Sequence, residues 1–300
     1  MRVGITGGTG FLGRRLVRSL EERGDVPVVL SRDPVICEKT LSVECRGWDV
    51  LEPLFPKHLC DLDAVIHLAG ESVVGVWTQK KKERIYDVRV LGTRHLVDAL
   101  GLASPRPNIL LCASASGYYG EGGDAALTES SAAGTGFLAH LCADWEAEAT
   151  RAGELGVRVV TLRTTLPLDP RGGILRSLLI PFRLGLGAVL GSGRQWMPWI
   201  HIEDWIQLVL FALDREAVRG PLNLGAPQPV RNLEFTHTLS HVLHRPALLR
   251  VPAFVLKQFP QGREGVLVSQ RIVPAKAQAL GYQFRHPHLE EALENLLGHA

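Results

Sequence analysis

The residues near the start of the chain have the types and the spacing of a loop that binds a diphosphate. Gly7, Gly10 and Gly13 form the pattern G-x-x-G-x-x-G between a short apolar run and an amphipathic one. The first glycine permits a tight turn, the second lets backbone amides approach a pyrophosphate, and the third lets a helix pack against a strand. The first turn of that helix would add free N–H groups and the positive end of its dipole. The loop residues predicted to bind a cofactor are Gly7, Thr9, Gly10, Phe11, Leu12 and Gly13.

This glycine pattern has two other interpretations. In the first, the turn has only a structural role, and its position between a strand and a helix is fortuitous. In the second, the loop is a Walker A phosphate loop, which requires a lysine directly after a glycine. No lysine in the sequence follows a glycine, so the P-loop NTPase class is excluded. The sequence therefore favours a dinucleotide.

The end of the second predicted strand indicates which dinucleotide binds. That strand ends at Leu30 and is followed by Ser31, Arg32 and Asp33. A hydroxyl and a guanidinium suit a 2′-phosphate, because the first donates one hydrogen bond and the second offers a charged fork. We therefore expect NADP, held by Ser31 and Arg32. In the alternative, Arg32 is a solvated surface charge and Asp33 binds the ribose.

The elements that must position this loop follow from the apolar pattern. Short runs rich in valine, isoleucine and leucine predict parallel strands covered on both faces, and apolar stripes at helical spacing predict helices between them. The predicted strands are Arg2–Thr6, Pro27–Leu30, Ala64–Leu68, Asn108–Ser114 and Val157–Leu162, and the helices between them are Phe11–Arg23, Thr78–Leu100 and Gly136–Leu155. This alternation implies right-handed crossovers, so the predicted fold class is α/β with a doubly wound parallel sheet of the Rossmann type.

The regular alternation of strand-like and helix-like patterns ends after Arg163. Glycines and prolines interrupt residues 166–200, and a mixed tail begins at Pro227. The elements predicted in this half are the strand Pro221–Leu224 and the helices Ile202–Leu213, Asn232–Leu243 and Leu289–Leu297. We therefore predict a dinucleotide-binding domain of residues 1–165 and 199–228. Residues 166–198 and 229–300 would form a smaller, mixed C-terminal substrate lobe.

Composition narrows the possible partners. Lys and Arg number 33 against 31 Asp and Glu, and the resulting net charge of +2 gives no reason to expect nucleic acid or an anionic membrane. The most apolar later stretch is interrupted by Pro181 and Arg183, which argues against a membrane span. The 5 cysteines are odd in number and contain no CxxC, so a disulfide framework or a metal cluster is not expected. With no secretory signal pattern at the first residues, the expected compartment is the reducing cytoplasm.

Motifs along the chain carry a resemblance to a known superfamily. They are TGGTGFLG at 6–13, HLAG at 67–70, SASGYYG at 114–120, WIHIED at 199–204 and PLNLG at 221–225. On these residues the chain resembles the short-chain dehydrogenase/reductase superfamily in its extended form, the NAD-dependent epimerase/dehydratase-like proteins. The phrases LAGES, LCADWE, PFRLGLG and GSGRQ resemble a poorly characterised, atypical branch of that family, which carries a C-terminal domain of unknown function.

The resemblance implies roles for further residues. Asp49 would reach the adenine edge, Leu68, Ala69 and Gly70 would lie along the cofactor, and Arg89 would reach towards it from the long helix. Leu166 would follow the sixth strand beside the nicotinamide. Residues 191–199 would line a substrate cleft, with Arg194 and Arg183 available for an anionic or sugar-phosphate substrate.

The catalytic pair of that superfamily, Tyr-x-x-x-Lys, is absent. The residues four positions after the tyrosines are Val90, Gly122, Gly123 and His286, and no lysine occurs between Lys82 and Lys257. Leu138 and Cys142 stand in the places of the pair. The alternative candidates are Ser114 and Ser116, where the family has a substrate-orienting hydroxyl, and Tyr118 or Tyr119 shortly after. We list Ser114, Ser116 and Tyr118 as candidate catalytic residues; a structural role for the serines is equally open.

These observations lead to two hypotheses. The first is an NADP-dependent oxidoreductase or epimerase-like enzyme that acts on a carbonyl or alcohol carbon of an unknown small substrate, such as a sugar nucleotide. The second is a non-catalytic NADP(H)-binding sensor or scaffold, since the usual pair is missing. Either protein could be a monomer or a homodimer.

Overall fold

The structure is a computed structural model that describes residues 1–258 and 262–298. Most of its strands are short and apolar. In chain order they are β1 (Arg2–Thr6), β2 (Val26–Ser31), β3 (Glu44–Gly47), β4 (Ala64–His67), β5 (Ile109–Ala115), β6 (Ala126–Leu127), β7 (Arg158–Thr164), β8 (Leu166–Leu168), β9 (Ala188–Leu190), β10 (Trp196–Met197), β11 (Trp199–His201), β12 (Gly220–Leu224), β13 (Val230–Arg231), β14 (Leu249–Val251) and β15 (Arg271–Ile272).

Helices connect these strands. In chain order they are α1 (Phe11–Glu22), α2 (Pro34–Leu41), α3 (Gln79–Leu102), α4 (Phe137–Thr150), α5 (Gly173–Arg183), α6 (Ile202–Asp214), α7 (Asn232–Val242), α8 (Ala253–Leu256), α9 (Ala275–Ala279) and α10 (Leu289–Leu297). Short 3₁₀ turns occupy Pro56–His58, Ser116–Tyr119 and Arg151–Leu155, and a π-helical turn occupies Gly262–Val266. Within the described residues, no helix has both the length and the apolar character needed to cross a bilayer.

The main sheet has seven strands in the order β12-β7-β5-β4-β1-β2-β3. The pairings β1–β2, β1–β4, β2–β3 and β4–β5 are parallel, and Thr6 lies opposite both Leu30 and His67. The strand order reverses direction between β1 and β4, and ligands of open α/β sheets bind at the carboxyl ends of strands at such a point. The prediction of an α/β fold with a doubly wound parallel sheet is confirmed.

Burial explains why the predicted elements form. Val3 and Ile5 of β1 and Ile66 of β4 are fully buried, as expected for strands covered on both faces. On α1 the buried residues Leu16, Val17 and Leu20 recur at helical spacing and form one face of the helix, which contacts β1 and β2. The five strands predicted in the first half begin and end within two residues of the observed ones.

The chain divides into two compact units. One contains residues 1–114, 141–162 and 209–221, and the other contains residues 115–140, 163–208 and 222–300. The second unit has an apolar core of its own, to which α5, α7 and α10 contribute Leu175, Phe235 and Leu293. These units are defined by compactness, so the functional division into a dinucleotide-binding domain and a substrate lobe stays a prediction.

Four helices, α2, α5, α8 and α9, and one disulfide were not predicted. Helix α5 buries Leu175, Leu179 and Phe182, but Pro181 near its end obscures the periodic pattern. Helix α2, with 8 residues, is too short to show a periodic pattern. Cys37 of α2 and Cys45 of β3 form a disulfide with Cα atoms 6.2 Å apart. The cysteine count gave no reason to expect this bond, because the pairing depends on α2 folding back beside β3.

Candidate functional site

The glycine loop follows β1 and passes close to the segment after β4. Gly7 has a φ of +69°, and a Cβ built on it would lie 2.8 Å from the carbonyl carbon of Leu68. A Cβ on Gly13 would lie 2.6 Å from the Cα of Gly8. Both distances are far inside van der Waals contact, so only glycine fits at these positions. The loop and the first turn of α1 are therefore as closely packed as the sequence pattern predicted.

The N-terminus of α1 has free hydrogen-bond donors. Gly10 precedes the helix in an extended conformation, and no side chain caps it. The first helical hydrogen bond is donated by the amide of Arg14 to the carbonyl of Gly10. The amides of Phe11, Leu12 and Gly13 precede that bond and have no acceptor within the helix. A row of unpaired amides at the positive end of a helix dipole suits a diphosphate.

A buried threonine joins β1 to the segment after β4. The hydroxyl of Thr6 lies 2.7 Å from Nδ1 of His67 and accepts a hydrogen bond from the amide of Ala69 at 3.0 Å. Burial lowers the pKa of His67 to about 4, so its ring is neutral at pH 7. This contact holds Leu68, Ala69 and Gly70 beside the glycine loop, and their position along a cofactor stays a prediction.

Arg89 supports the same segment from α3. Its guanidinium donates to the carbonyl of Glu71 at 2.9 Å and lies over the ring of Trp145, and a Cβ on Gly70 would be 3.1 Å from its Nη2. Burial lowers the pKa of this guanidinium. Arg89 therefore fixes the backbone after β4, and any contact with a cofactor stays a prediction.

The residues predicted to select NADP lie at the ends of β2 and β3. The amide of Trp48 donates to the carbonyl of Ser31 at 2.9 Å, which brings the segment of Asp49 next to that of Ser31. Asp33 accepts a hydrogen bond from the amide of Ile36 and begins α2 as its N-cap. Arg32 is exposed, and within residues 1–258 and 262–298 its side chain has no hydrogen-bond or ion-pair partner. The guanidinium is available for a ligand, whereas the carboxylate of Asp33 already stabilises a helix.

The three candidate catalytic residues differ in their surroundings. The Ser114 hydroxyl is buried and donates to the Glu146 carboxylate at 2.6 Å. Ser116 and Tyr118 belong to the 3₁₀ turn after β5 and are partly exposed. Gln270, on the C-terminal part of the chain, donates to the carbonyl of Ser116 at 2.9 Å and to that of Gly120 at 3.0 Å. The sequence did not indicate the roles of Glu146 and Gln270.

Two tyrosines of this turn share one buried cation. The guanidinium carbon of Arg163 lies 3.5 Å from the centroid of the Tyr118 ring, and Nη1 donates to the Tyr119 hydroxyl at 2.9 Å. The Tyr119 hydroxyl in turn donates to Asn223 at 2.6 Å, and burial raises the pKa of Tyr119 to about 12. Arg163 was also missed by the sequence analysis, because nothing in its neighbourhood along the chain marks it.

Helix α4 carries no replacement for the missing catalytic pair. Cys142 is buried and Leu138 is partly buried, whereas His140 is exposed. The amide of Leu138 donates to the Glu264 carboxylate at 3.2 Å. Leu138 and Cys142 therefore bring no phenol or ammonium to the helix on which the family has both.

The later motif residues have mainly structural surroundings. Leu166 of β8 pairs with Trp199 of β11, and Trp199 is buried with its indole donating to the carbonyl of Gln228. Trp196 is partly exposed, and the guanidinium of Arg231 lies 4.5 Å from its ring centroid. Asp204 is buried and accepts hydrogen bonds from the amides of Arg285 and His286. Arg183 and Arg194, which the resemblance places at a substrate cleft, are exposed, and their role stays a prediction.

One cluster has metal-ligating residue types. The possible ligand atoms of His201, Glu203 and His286 lie within 4.8 Å of one another. The two imidazole rings are stacked, with centroids 3.7 Å apart and an interplanar angle of 30°. Lone pairs of nearly parallel rings do not converge on one ion, and Nδ1 of His201 accepts a hydrogen bond from the amide of Glu203. The arrangement stabilises the start of α6.

Two family models and a set of curated proteins match the sequence of this chain. Residues 3–225 match the NAD dependent epimerase/dehydratase family, and residues 251–296 match a domain of unknown function, DUF1731. An epimerase family protein of Mycobacterium bovis is 37% identical over 298 residues, which cover 97% of this chain and 96% of the relative.

Solved structures show the same fold. The human epimerase family protein SDR39U1, crystallised with NADPH, is 32% identical with a TM-score of 0.90, and each chain covers 100% of the other. A nucleoside-diphosphate sugar epimerase from Corynebacterium glutamicum is 32% identical with a TM-score of 0.81, and the match covers 100% of this chain and 58% of that one.

Proposed function

The chain belongs to the NAD-dependent epimerase/dehydratase family, and we propose that it is an NADP(H)-dependent oxidoreductase or epimerase-like enzyme. Its substrate would be a small molecule with a reactive carbonyl or alcohol carbon. The observation that carries the proposal is the loop of Gly7 to Gly13, where two positions exclude any side chain and the amides of α1 are free. Such a loop has the geometry to bind a diphosphate bridge.

The residues that would hold the cofactor belong to the first unit, except Leu166, which belongs to the second. The glycine loop would bind the diphosphate, Ser31 and Arg32 the 2′-phosphate, and Asp49 the adenine edge. Leu68, Ala69 and Gly70 would lie along the cofactor, with Arg89 behind them and Leu166 near the nicotinamide. When bound, a nicotinamide dinucleotide supplies or accepts the hydride. Support for NADP over NAD comes from the exposed Arg32, from the N-cap role of Asp33, and from the NADPH in the human relative.

The chain must move the substrate proton without a Tyr-x-x-x-Lys pair. Ser114, Ser116 and Tyr118 are the proposed candidates. The bond from Ser114 to Glu146 couples that hydroxyl to a carboxylate, which could receive or return a proton. Ser116 and Tyr118 lie on a turn held by Gln270 and are partly exposed, so they can meet a substrate.

A titration experiment tests the cofactor part of the proposal. Isothermal calorimetry of the purified protein should give heat with NADPH and weaker or no heat with NADH. A panel of carbonyl compounds and nucleotide sugars should then identify a substrate that oxidises NADPH or is epimerised. An absence of heat with both dinucleotides would overturn the proposal.

A second function, a non-catalytic NADP(H) sensor or scaffold, is favoured by one specific observation. On α4, the helix that carries the catalytic pair in the family, Leu138 and Cys142 offer no phenol and no ammonium. A sensor would bind NADPH, change shape or partner, and show no turnover with any compound of the panel. Turnover that is lost in Ser116→Ala or Tyr118→Phe would rule it out.

We also propose the oligomeric state, the compartment and the partners of the protein. We expect a monomer or a homodimer in the cytoplasm, with no nucleic-acid or membrane partner, because the net charge is only +2. Light scattering after size exclusion and cell fractionation test these points.

A further inference from the structure

The Tyr118 ring and the Arg163 guanidinium form a close stacked pair inside the second unit. The guanidinium carbon lies 3.5 Å from the ring centroid, and Arg163 is 3% exposed. Its Nη1 donates to the Tyr119 hydroxyl at 2.9 Å and to the carbonyl of Glu129 at 3.2 Å. The cation is therefore held in place by the protein, with its planar face against one phenol.

The two tyrosines beside this cation differ in what their hydroxyls can do. Tyr119 is 2% exposed, and its hydroxyl is held between Asn223 and Arg163. Tyr118 is partly exposed, and its hydroxyl makes no hydrogen bond within the described parts of the chain. Only Tyr118 combines a nearby cation with a hydroxyl that is free to meet a substrate.

The charged groups around the pair have a positive balance. Arg163 comes from β7, Lys276 from α9, and Glu129 from the segment after β6. The Glu129 carboxylate is occupied by two backbone amides, those of Asn223 and Lys276. Burial lowers the pKa of the Lys276 ammonium, the charge of Glu129 opposes this change, and Arg163 adds to it. The Arg163 guanidinium lies over the Tyr118 ring and favours negative charge on the phenol oxygen.

We propose that Tyr118 is the proton donor of the reaction and that Arg163 is the positioning residue that takes the part of the missing lysine. This inference rests on the proposed function. In the reducing direction, the substrate carbonyl carbon gains a hydride and its two electrons from the reduced dinucleotide. The carbonyl π pair moves to the oxygen, which takes the Tyr118 proton. The O–H bonding pair stays on the phenol oxygen beside Arg163, and water then returns a proton to it.

A tyrosine titration by ultraviolet difference absorbance reports on the pair without any cofactor. Burial raises the pKa of Tyr119 to about 12 and also raises the pKa of Tyr86 and Tyr282. The step that belongs to Tyr118 is identified as the one that is absent in Tyr118→Phe and present in Tyr86→Phe. In folded Arg163→Met that step should move to higher pH, and Arg163→Lys should restore part of the change. A Tyr118 step at the same pH in the natural chain and in folded Arg163→Met would overturn the proposal.

Kinetics give the second readout. Tyr118→Phe should bind NADPH as tightly as the natural chain and lose about a hundredfold or more of kcat with little change in KM. A kcat within threefold of the natural value overturns the proposal even if Arg163→Met does not fold. If the natural chain binds no dinucleotide, the proposed function fails, while the titration still decides whether Arg163 acts on Tyr118.

Discussion

The carbonyl oxygen of Gly7 occupies the space in which residue 13 would carry a Cβ. This contact ties the turn after β1 to the first turn of α1, and it explains why position 13 is glycine. Helix α1 has no side-chain cap at its N-terminus. The packing of the glycine loop therefore depends on the absence of a side chain at position 13.

Replacing Gly13 by alanine should lower the stability of the fold and weaken dinucleotide binding. We expect Gly13→Ala to lose about 1–3 kcal/mol of unfolding free energy, because the added methyl overlaps backbone atoms that cannot move away freely. Dinucleotide binding should weaken at least tenfold. Gly153→Ala is the matched control, since a Cβ there meets nothing within 4 Å. Urea denaturation and calorimetry measure the two effects; equal behaviour of the two variants would contradict the packing described here.

The exposed Arg32 should select the cofactor. In Arg32→Gln the dissociation constant of NADPH should rise about tenfold to a hundredfold, since a charge-assisted hydrogen bond to the 2′-phosphate is lost. The affinity for NADH should stay within a factor of about two. Arg18→Gln, which removes an exposed arginine of α1, controls for general charge effects. If Arg32→Gln weakens NADH and NADPH equally, the guanidinium does not bind a 2′-phosphate.

Two buried histidines should make the fold sensitive to acid. Burial lowers the pKa of both His67 and His201 from 6.5 to about 4. Between these values the unfolded chain binds more protons than the folded one, so stability is complete above about pH 6.5 and falls as the pH drops towards 4. Each histidine should contribute a slope of roughly 1.4 kcal/mol per pH unit in that window.

Variants separate this effect from that of the carboxylates, which also titrate at low pH. Urea midpoints between pH 7 and pH 5 should fall less steeply for His67→Gln than for the natural chain. His237→Gln, at an exposed position of α7, should keep the natural slope. Identical slopes for all three proteins would mean that the His67 ring is not held neutral by burial.

The Gln270 amide should be essential to the turn that carries Ser116 and Tyr118. It donates to two carbonyls and is 7% exposed. Gln270→Glu keeps the shape but removes both donors, so we expect a loss of about 2 kcal/mol or more at pH 7. Gln278→Glu, on the exposed side of α9, should change stability by less than about 0.5 kcal/mol. Urea denaturation of both variants measures these changes. If Gln270→Glu leaves the unfolding free energy unchanged, the two hydrogen bonds of Gln270 do not stabilise the turn.

The glycine loop and its strand–loop–helix setting were readable from the sequence because the contact of Gly13 with Gly7 and Gly8 is local. Gly7 and Gly13 are six positions apart, and the apolar periods of β1 and α1 flank them. The resemblance extended this to the family, which the comparisons confirmed. The cofactor contacts that it implies for Leu68, Ala69 and Gly70 stay a prediction. Helix α5 was missed, because Pro181 breaks the pattern from which a helix is predicted.

The sequence by itself determined the sheet, the glycine loop and the absence of Tyr-x-x-x-Lys, since these follow from residue types at short spacing. Only the tertiary structure decided which polar groups surround the candidate catalytic residues. Ser114 meets Glu146 across 32 positions, Tyr119 meets Arg163 across 44, and Ser116 meets Gln270 across 154. The strand order and the packing of the helices bring such residues together, and no periodicity along the chain encodes which side chains will then be in contact.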